Sequence, residues 1–385
     1  MNNSFDLIVV GGGILGSFHA YHALKGGLKV ALFEKNSSPQ SATVRNFGQI
    51  VPSGMNTKWQ QLGRASLEIY KEIQSQFDIS LRQQGTIYLA SDPKEKLLLE
   101  ELAEINSRND YNSYLMTKEE CLANYPGLRA DYAVGGLYFP DEATIEPQKM
   151  IGLLHKYMQQ LGLELFLNHE VIECHALSGH VNITTAFGRL YSAAKVVICN
   201  GSDFKTLYPD LFMGSELEVV KLQMMQTGPQ LNYKLKGSLL SGLSVRRYES
   251  FQECPSFNKI KAAESLNNDL IAKWGIHILF KQAVDGSVII GDSHEYFNVS
   301  EIEDPGFKLN MDIDTEILKE AKKILNLTYY DIRYRWTGLY SQCRDSDLYQ
   351  NTIDGNIHII TGIGGKGMTG SAGFSGQNIS DLFNI

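Results

Sequence analysis

The amino-acid sequence predicts an α/β protein in which a βαβ-containing domain is joined to a discontinuous α+β domain built on an antiparallel sheet. Three observations predict it. A strand, a glycine turn and a helix open the chain. A second glycine-rich strand-to-helix turn lies around residue 365. The stretch between them carries short strands and a hairpin signal.

Residues 5–10 form an apolar run rich in β-branched side chains, the pattern of a buried parallel strand. Gly11, Gly12 and Gly13 follow, a helical pattern runs from about Ile14 to Leu24, and Gly26 and Gly27 stop it. Residues 29–34 are the second strand. Glycine is frequent, 35 of 385 residues, so three glycines at fixed offsets would arise by chance about 0.3 times in such a chain. The strand–turn–helix–strand context therefore carries the reading. Gly11 permits the tight turn, Gly13 lets backbone approach a pyrophosphate, and Gly16 lets the helix pack on the strand. The helix start, with Ile14 and Leu15, offers N–H groups and a positive dipole end to phosphates. Glu34 lies 18 residues after Gly16, at the end of the second strand, placed to accept ribose hydroxyls, with Lys35 beside it. An acid there disfavours a 2′-phosphate, and so NADP.

The stretch from Thr43 through Arg45, Asn46, Phe47 and Gly48 offers a guanidinium, backbone donors and a glycine in a loop expected beside the pyrophosphate. Residues 163–167 and 171–172 read as short strands, which brings Val171 to the site. Residues 195–201 are another buried strand, ending in Asn200 and Gly201. Residues 357–361 are a strand that runs into Gly364, Gly365, Lys366, Gly367, Met368 and Thr369, then a helical tail. Two such turns at opposite ends of the chain suit a ligand with two ends. FAD, with a pyrophosphate and a fused ring system, is that ligand; an NAD-dependent dehydrogenase has no use for the second loop.

Bulk properties narrow the function classes. The formal net charge is -8, which argues against nucleic-acid binding. The five cysteines show no CxxC spacing, so neither a metal site nor a disulfide framework is expected. No apolar stretch is long enough to span a bilayer, and no basic leader precedes the first strand. A soluble, cytoplasmic protein without membrane partners is the expectation.

Between the glycine turns, residues 85–89 read as a strand, 93–105 and 118–122 as helices, and 218–226, 243–251 and 276–291 as strands. Asp285-Gly286 marks a hairpin turn in the last of these. Met224 and Met225 read as core. Arg246 and Tyr248 alternate on the 243–251 run and would share one face of a strand. Arg333 and Arg335 alternate likewise, and His294 lies just past a strand.

Residues 11–34, Arg45 to Gly48, 197–201, Trp336-Thr337-Gly338-Leu339 and 364–368 fall in the order found in the D-amino-acid oxidase superfamily. That superfamily includes glycine oxidase and the sarcosine oxidases, and the chain resembles it over most of its length. Residues 244–251 and Asn46-Phe47-Gly48 look more like one subgroup, whose genes are often associated with phosphonate breakdown. The resemblance implies a Rossmann-like FAD-binding domain from residues 1–80, 145–215 and 328–385, and a substrate domain from 81–144 and 216–327. It implies oxidation of a C–N bond by hydride transfer to flavin N5, with oxygen or another electron acceptor reoxidising the flavin. Two departures matter. The family's carboxylate-binding arginine position holds Tyr340, which disfavours simple glycine or D-amino-acid oxidation. The position of covalent flavin attachment in monomeric sarcosine oxidases is Gly338, so noncovalent FAD is expected.

The favoured substrate is a small anionic amine, an aminophosphonate or its N-alkyl derivative, gripped by Arg246 and Arg335. Tyr248, His294, Tyr340 and Lys366 complete the expected catalytic end, with Lys366 near flavin N1. The alternatives are a glycine- or sarcosine-type amino acid oxidase and a flavoprotein subunit without turnover.

Overall fold

The computed structural model describes residues 4–263, 270–299 and 305–385; parts of the segment 216–327 expected in the substrate domain thus lie outside the described residues. β1 (Ser4–Val10), α1 (Ile14–Lys25) and β2 (Val30–Glu34) form the expected βαβ unit. β1 pairs parallel with β2 on one side and with the Leu190–Ile198 strand on the other. The Glu164–Leu167 strand extends this sheet parallel to β2, and Ile357–Thr361 adds to Leu190–Ile198, also in parallel. Its central strands are buried on both faces, which is why they read as unbroken apolar runs. The Val171–Leu177 and His180–Thr185 strands continue it antiparallel, and Tyr349–Ile353 pairs with Ile357–Thr361.

The second sheet is predominantly antiparallel. Its long axis is the pairing of Leu217–Thr227 with Ile332–Cys343, eleven paired positions from Leu217↔Cys343 to Thr227↔Ile332. Leu279–Gln282 and Val288–Gly291 form the hairpin signalled by Asp285-Gly286. Gly286 takes φ +84° there, and Ala283 N–H donates to Ser287 O at 2.8 Å. Thr86–Ala90 joins the same sheet, parallel to Ser238–Leu240 and antiparallel to Gly135–Phe139. The expected helix at 93–105 runs Pro93–Arg108, started by Asp92, whose carboxylate accepts from the Lys94 and Glu95 amides at 2.8 Å. The expected helix at 118–122 runs Lys118–Asn124, with a Thr117/Glu120 capping box. Met224 and Met225 are fully buried.

The strand expected over 243–251 is not one. It forms two short helical turns, Gly242–Val245 and Glu249–Gln252. The amides of Ser244 through Tyr248 find acceptors within the segment, at Ser241 O, Gly242 O and Ser244 O, so no partner strand is needed. Gly242 is required because a Cβ there would lie 2.0 Å from Glu95 Oε2.

The Gly367–Phe383 helix closes the chain against α1 and the Thr57–Gln76 helix. Among the described residues no helix is long and apolar enough to cross a membrane.

Candidate active site

The first glycine turn is built around close backbone approach. Gly11 takes φ +105°, and a Cβ on it would meet Cys199 O at 2.3 Å. A Cβ on Gly16 would meet Gly11 O at 2.1 Å, which fixes α1 against the turn. Thr43 Oγ1 accepts from the Ile14 amide at 2.9 Å. The amides of Gly13, Leu15 and Gly16 donate to no acceptor among the described residues and open on a cavity. Beneath them, Glu34 Oε2 accepts from the Gly12 amide at 3.0 Å and Oε1 from Asn36 N at 2.9 Å. Those amides and the helix dipole make a site for an anionic diphosphate.

The second turn is tied to the first sheet by hydroxyls. Gly201 O accepts from Ser341 Oγ at 3.0 Å and from Thr361 Oγ1 at 2.7 Å, and Ser341 Oγ accepts from Gly362 N at 3.2 Å. Thr369 Oγ1, at the start of the last helix, accepts from Val51 N at 3.1 Å. The segment from Arg45 to Gly48 is held by its own polar groups. Arg45 donates to Gln40 O and Thr337 O at 2.7 and 3.0 Å, and Asn46 Oδ1 accepts from Gly48 N at 2.7 Å. Gly48, at φ +69°, leaves room for Ile145 O, which a Cβ would meet at 2.2 Å.

One cavity of about 980 Å³ runs between both turns and into the second sheet. It brings together Gly13, Ile14, Leu15, Gly16, Thr43, Arg45, Asn46, Phe47, Gly201, Gly338 and the whole 364–369 loop. Gly11, Glu34, Lys35, Gly48, Val171 and Asn200 do not line it. Lys35 pairs with Asp203, and Val171 is packed in the core of the first sheet.

At the far end the structure changes three expectations. Arg335 does not reach the cavity. It is an odd number of residues from Gly338 and Tyr340 on one strand, so it points to the opposite face, where Arg335 Nε meets the buried Asp314 carboxylate at 2.5 Å. Arg246 lines the cavity but is committed to Glu95 and Asp92, at 2.6 and 2.5 Å. Lys366 also lines it and pairs with Glu249 at 2.7 Å and Asp347 at 3.5 Å, over the Trp59 ring. Both cations are largely neutralised by protein carboxylates.

At this end of the cavity lies Arg247, which sequence reasoning passed over and which makes no carboxylate contact among the described residues. Its Nη2 donates to Tyr296 Oη at 3.0 Å. Tyr248, Tyr340, His277, Asp292 and His294 line the same end. The Tyr248 and Tyr340 hydroxyls have no hydrogen-bond partner among the described residues, and burial pushes both phenols above their ordinary range, so they remain donors. His277 Nε2 is 2.7 Å from Asp292 Oδ1, and His294 Nδ1 is 3.7 Å from the same oxygen. Burial acts to raise Asp292, but His277, His294 and Arg247 outweigh it and hold the carboxyl below its usual value. Burial drives His294 down to about 3, against the pull of Asp292. These three donors lie within 4.8 Å of one another, yet the 2.7 Å approach is a hydrogen-bond distance and Arg247 supplies a countercharge. The arrangement favours an acid–base group over a metal centre. The sequence signal for it was Asp292-Ser293-His294 at the end of a buried strand.

A diphosphate cradle at one sheet and a polar, partly cationic chamber at the other, joined by one cavity, define a dinucleotide-dependent enzyme. The chain matches the FAD dependent oxidoreductase family over residues 6–382 and belongs to it. A glycerol 3-phosphate dehydrogenase from Caloramator mitchellensis is 24% identical over 393 residues, spanning 99% of this chain and 74% of that protein. A glycine oxidase from Bacillus licheniformis is 25% identical over 230 residues, 57% of this chain and 60% of the relative. The crystal structure of glycine oxidase from Geobacillus kaustophilus superposes with a TM-score of 0.76 at 18% identity, covering 99% of this chain and 95% of that one. L-Proline dehydrogenase from P. horikoshii gives 0.80 at 18%, covering 100% and 94%. At these identities the superpositions speak for the fold. The residues present fit FAD: the unmatched amides of Gly13, Leu15 and Gly16 suit its diphosphate, and the 364–369 loop lines the continuation of the same cavity.

Proposed function

We propose that the chain is an enzyme that oxidises the C–N bond of a small anionic amine, with an aminophosphonate or N-alkyl aminophosphonate as favoured substrate and FAD held noncovalently. The observation that carries this reading is the convergence of Arg247, Tyr248, Tyr296 and Tyr340 at one end of the cavity. A guanidinium and several hydroxyls can satisfy three oxygens, more than a planar carboxylate presents. When bound, FAD accepts the hydride equivalent from the carbon that bears nitrogen.

The chain's own residues do the rest. Arg247 takes the anion, and Tyr296 fixes the plane of its guanidinium. Tyr248 and Tyr340 donate to further oxygens. The buried walls, Phe47 and Leu222 among them, exclude water while the amine lone pair helps expel the hydride. The imine leaves for hydrolysis to a carbonyl compound and an amine. Oxygen or another acceptor would be the final electron acceptor. The expected division into discontinuous domains at 1–80, 145–215 and 328–385 against 81–144 and 216–327 is part of this proposal.

The test is anaerobic flavin bleaching across a panel of aminophosphonates, glycine, sarcosine and sn-glycerol 3-phosphate. An aminophosphonate should bleach the flavin fastest. Faster bleaching by glycine or sarcosine would replace this reading with an amino acid oxidase. The phosphate-bearing alcohol is included because the dehydrogenase relative spans 99% of the chain. No bleaching by any compound would favour a flavoprotein without turnover.

A further inference from the structure

The His277–Asp292–His294 cluster is not used by the reaction above, since amine oxidation needs no base. Its geometry nevertheless points at the ligand. His294 is buried, and its Nδ1 donates to Gly275 O at 3.4 Å. That contact assigns the lone pair to Nε2, for which no protein partner exists among the described residues, while the side chain lines the cavity. Gly275, at φ +52°, brings this imidazole beside the anion-binding cation. A Cβ there would lie 3.1 Å from His294 Cβ and 3.2 Å from Arg247 Nη1.

The groups that face His294 come from four places. Asp292 and Tyr296 are on its own stretch, His277 leads into the Leu279–Gln282 strand, Arg247 lies between the helical turns, and Tyr340 is on the long strand. The two formal charges among them, Arg247 and Asp292, cancel. A tetrahedral anion arriving as a dianion would therefore leave excess negative charge in a desolvated chamber. A carboxylate leaves one excess charge by the same count, but its oxygens are far less basic than those of a phosphonate dianion and do not retain a proton near neutral pH.

We propose that His294, backed by Asp292 and His277, captures one proton with a tetrahedral anion, holding it between Nε2 and a P–O oxygen. This rests on the aminophosphonate reading above and adds the residue that distinguishes tetrahedral from planar anions. The balance is simple: one proton comes from solvent, one N···H–O or N–H···O contact forms, and no other bond changes. The chamber suits such capture. Burial and Arg247 disfavour the imidazolium, and a dianion seated on Arg247 reverses the second effect.

The experiment titrates methylphosphonate and acetate into the FAD-loaded enzyme at pH 9, where the free phosphonate is almost wholly dianionic, calorimetrically, in buffers of different ionisation heat. Methylphosphonate carries no amine and cannot be oxidised at a C–N bond. Its binding should take up close to one proton, and acetate's should take up none. In His294→Gln the uptake should vanish and methylphosphonate affinity fall at least about tenfold, with acetate affinity changed less. Should that variant fail to fold, the wild type alone suffices. Its methylphosphonate Kd should rise about tenfold per pH unit above the ligand's second ionisation, the slope of one coupled proton. Binding without uptake, a flat Kd, or uptake unchanged in His294→Gln overturns the inference and leaves the aminophosphonate reading standing. Failure of methylphosphonate to bind at all removes both.

Discussion

Replacing Arg246 and Arg247 one at a time separates two roles that adjacent identical side chains might be thought to share. Arg246 is paired with Glu95, whose side chain is 3% exposed, and with the more exposed Asp92. Arg246→Ala leaves Glu95 buried without its cation. Breaking a buried pair costs about 3–5 kcal/mol in full. Glu95 keeps the Ser91 amide and hydroxyl at 2.6 and 2.7 Å, and Arg246 is itself 24% exposed, which reduces the penalty. A loss of about 2–3 kcal/mol is expected, or about 2–4 °C in Tm for a chain of this size. Arg247→Ala loses a hydrogen bond to Tyr296 and one of the countercharges of Asp292, which keeps His277, and should shift Tm by about 2 °C or less. On the proposed reading it also removes the substrate's counterion. At the lower end of the range for such contacts, ~2–3 kcal/mol, kcat/KM should fall about 30- to 150-fold. The assays are thermal melting of the FAD-loaded variants and kcat/KM with the best amine from the panel. The reasoning is refuted if Arg246→Ala loses kcat/KM as severely as Arg247→Ala while melting normally.

Four further outcomes are expected. Gly11→Ala should yield protein with little or no FAD, because its Cβ would sit 2.3 Å from Cys199 O in a left-handed backbone; flavin absorbance per protein measures this. Arg335→Ala should leave kcat/KM within about twofold but cost ~2–4 kcal/mol in chemical denaturation, because it strands the buried Asp314. Lys366→Met should move the flavin potential by less than about 30 mV, because Glu249 and Asp347 already neutralise the ammonium; a larger drop would show that its charge reaches the ring. Glu142 is fully buried, and burial raises it from 4.5 to about 7, offset in part by bonds from Ser53 and Tyr111. An acid raised on folding binds more protons folded than unfolded, so stability falls as pH rises from about 4.5 to about 7, by roughly 3 kcal/mol in all. Glu142→Gln should therefore melt higher than wild type at pH 8 and about equally at pH 4.5.

The βαβ unit was legible because its signals are local. A strand buried on both faces, a turn that only glycine fits and a helix start follow each other within a few residues. The second glycine turn was legible for the same reason. The chamber was not, since it depends on where distant segments meet. Alternation over 243–251 selected Arg246 and Tyr248, but the segment turns helically, and Arg247 takes the exposed cation's place. Arg335 was misplaced by an argument the sequence could have corrected, because its odd separation from Tyr340 puts it on the other face of one strand. His277 is a single imidazole at the edge of an apolar run, and nothing local distinguishes it from a core histidine. Its meaning comes from Asp292, which the hairpin brings opposite.

The parallel pairing of Ile357–Thr361 with Leu190–Ile198 has a bearing on biosynthesis. Between them, from Ile198 to Ile357, lie 158 residues. At about 5–20 residues per second, a ribosome would leave the Val196–Ile198 end of that strand, which the His180–Thr185 strand does not cover, without its neighbour for roughly 8–30 s. An unpaired apolar edge of that duration invites aggregation. The cavity for the cofactor is likewise complete only after this strand, because the 364–369 loop that lines it follows Ile357–Thr361 in the chain.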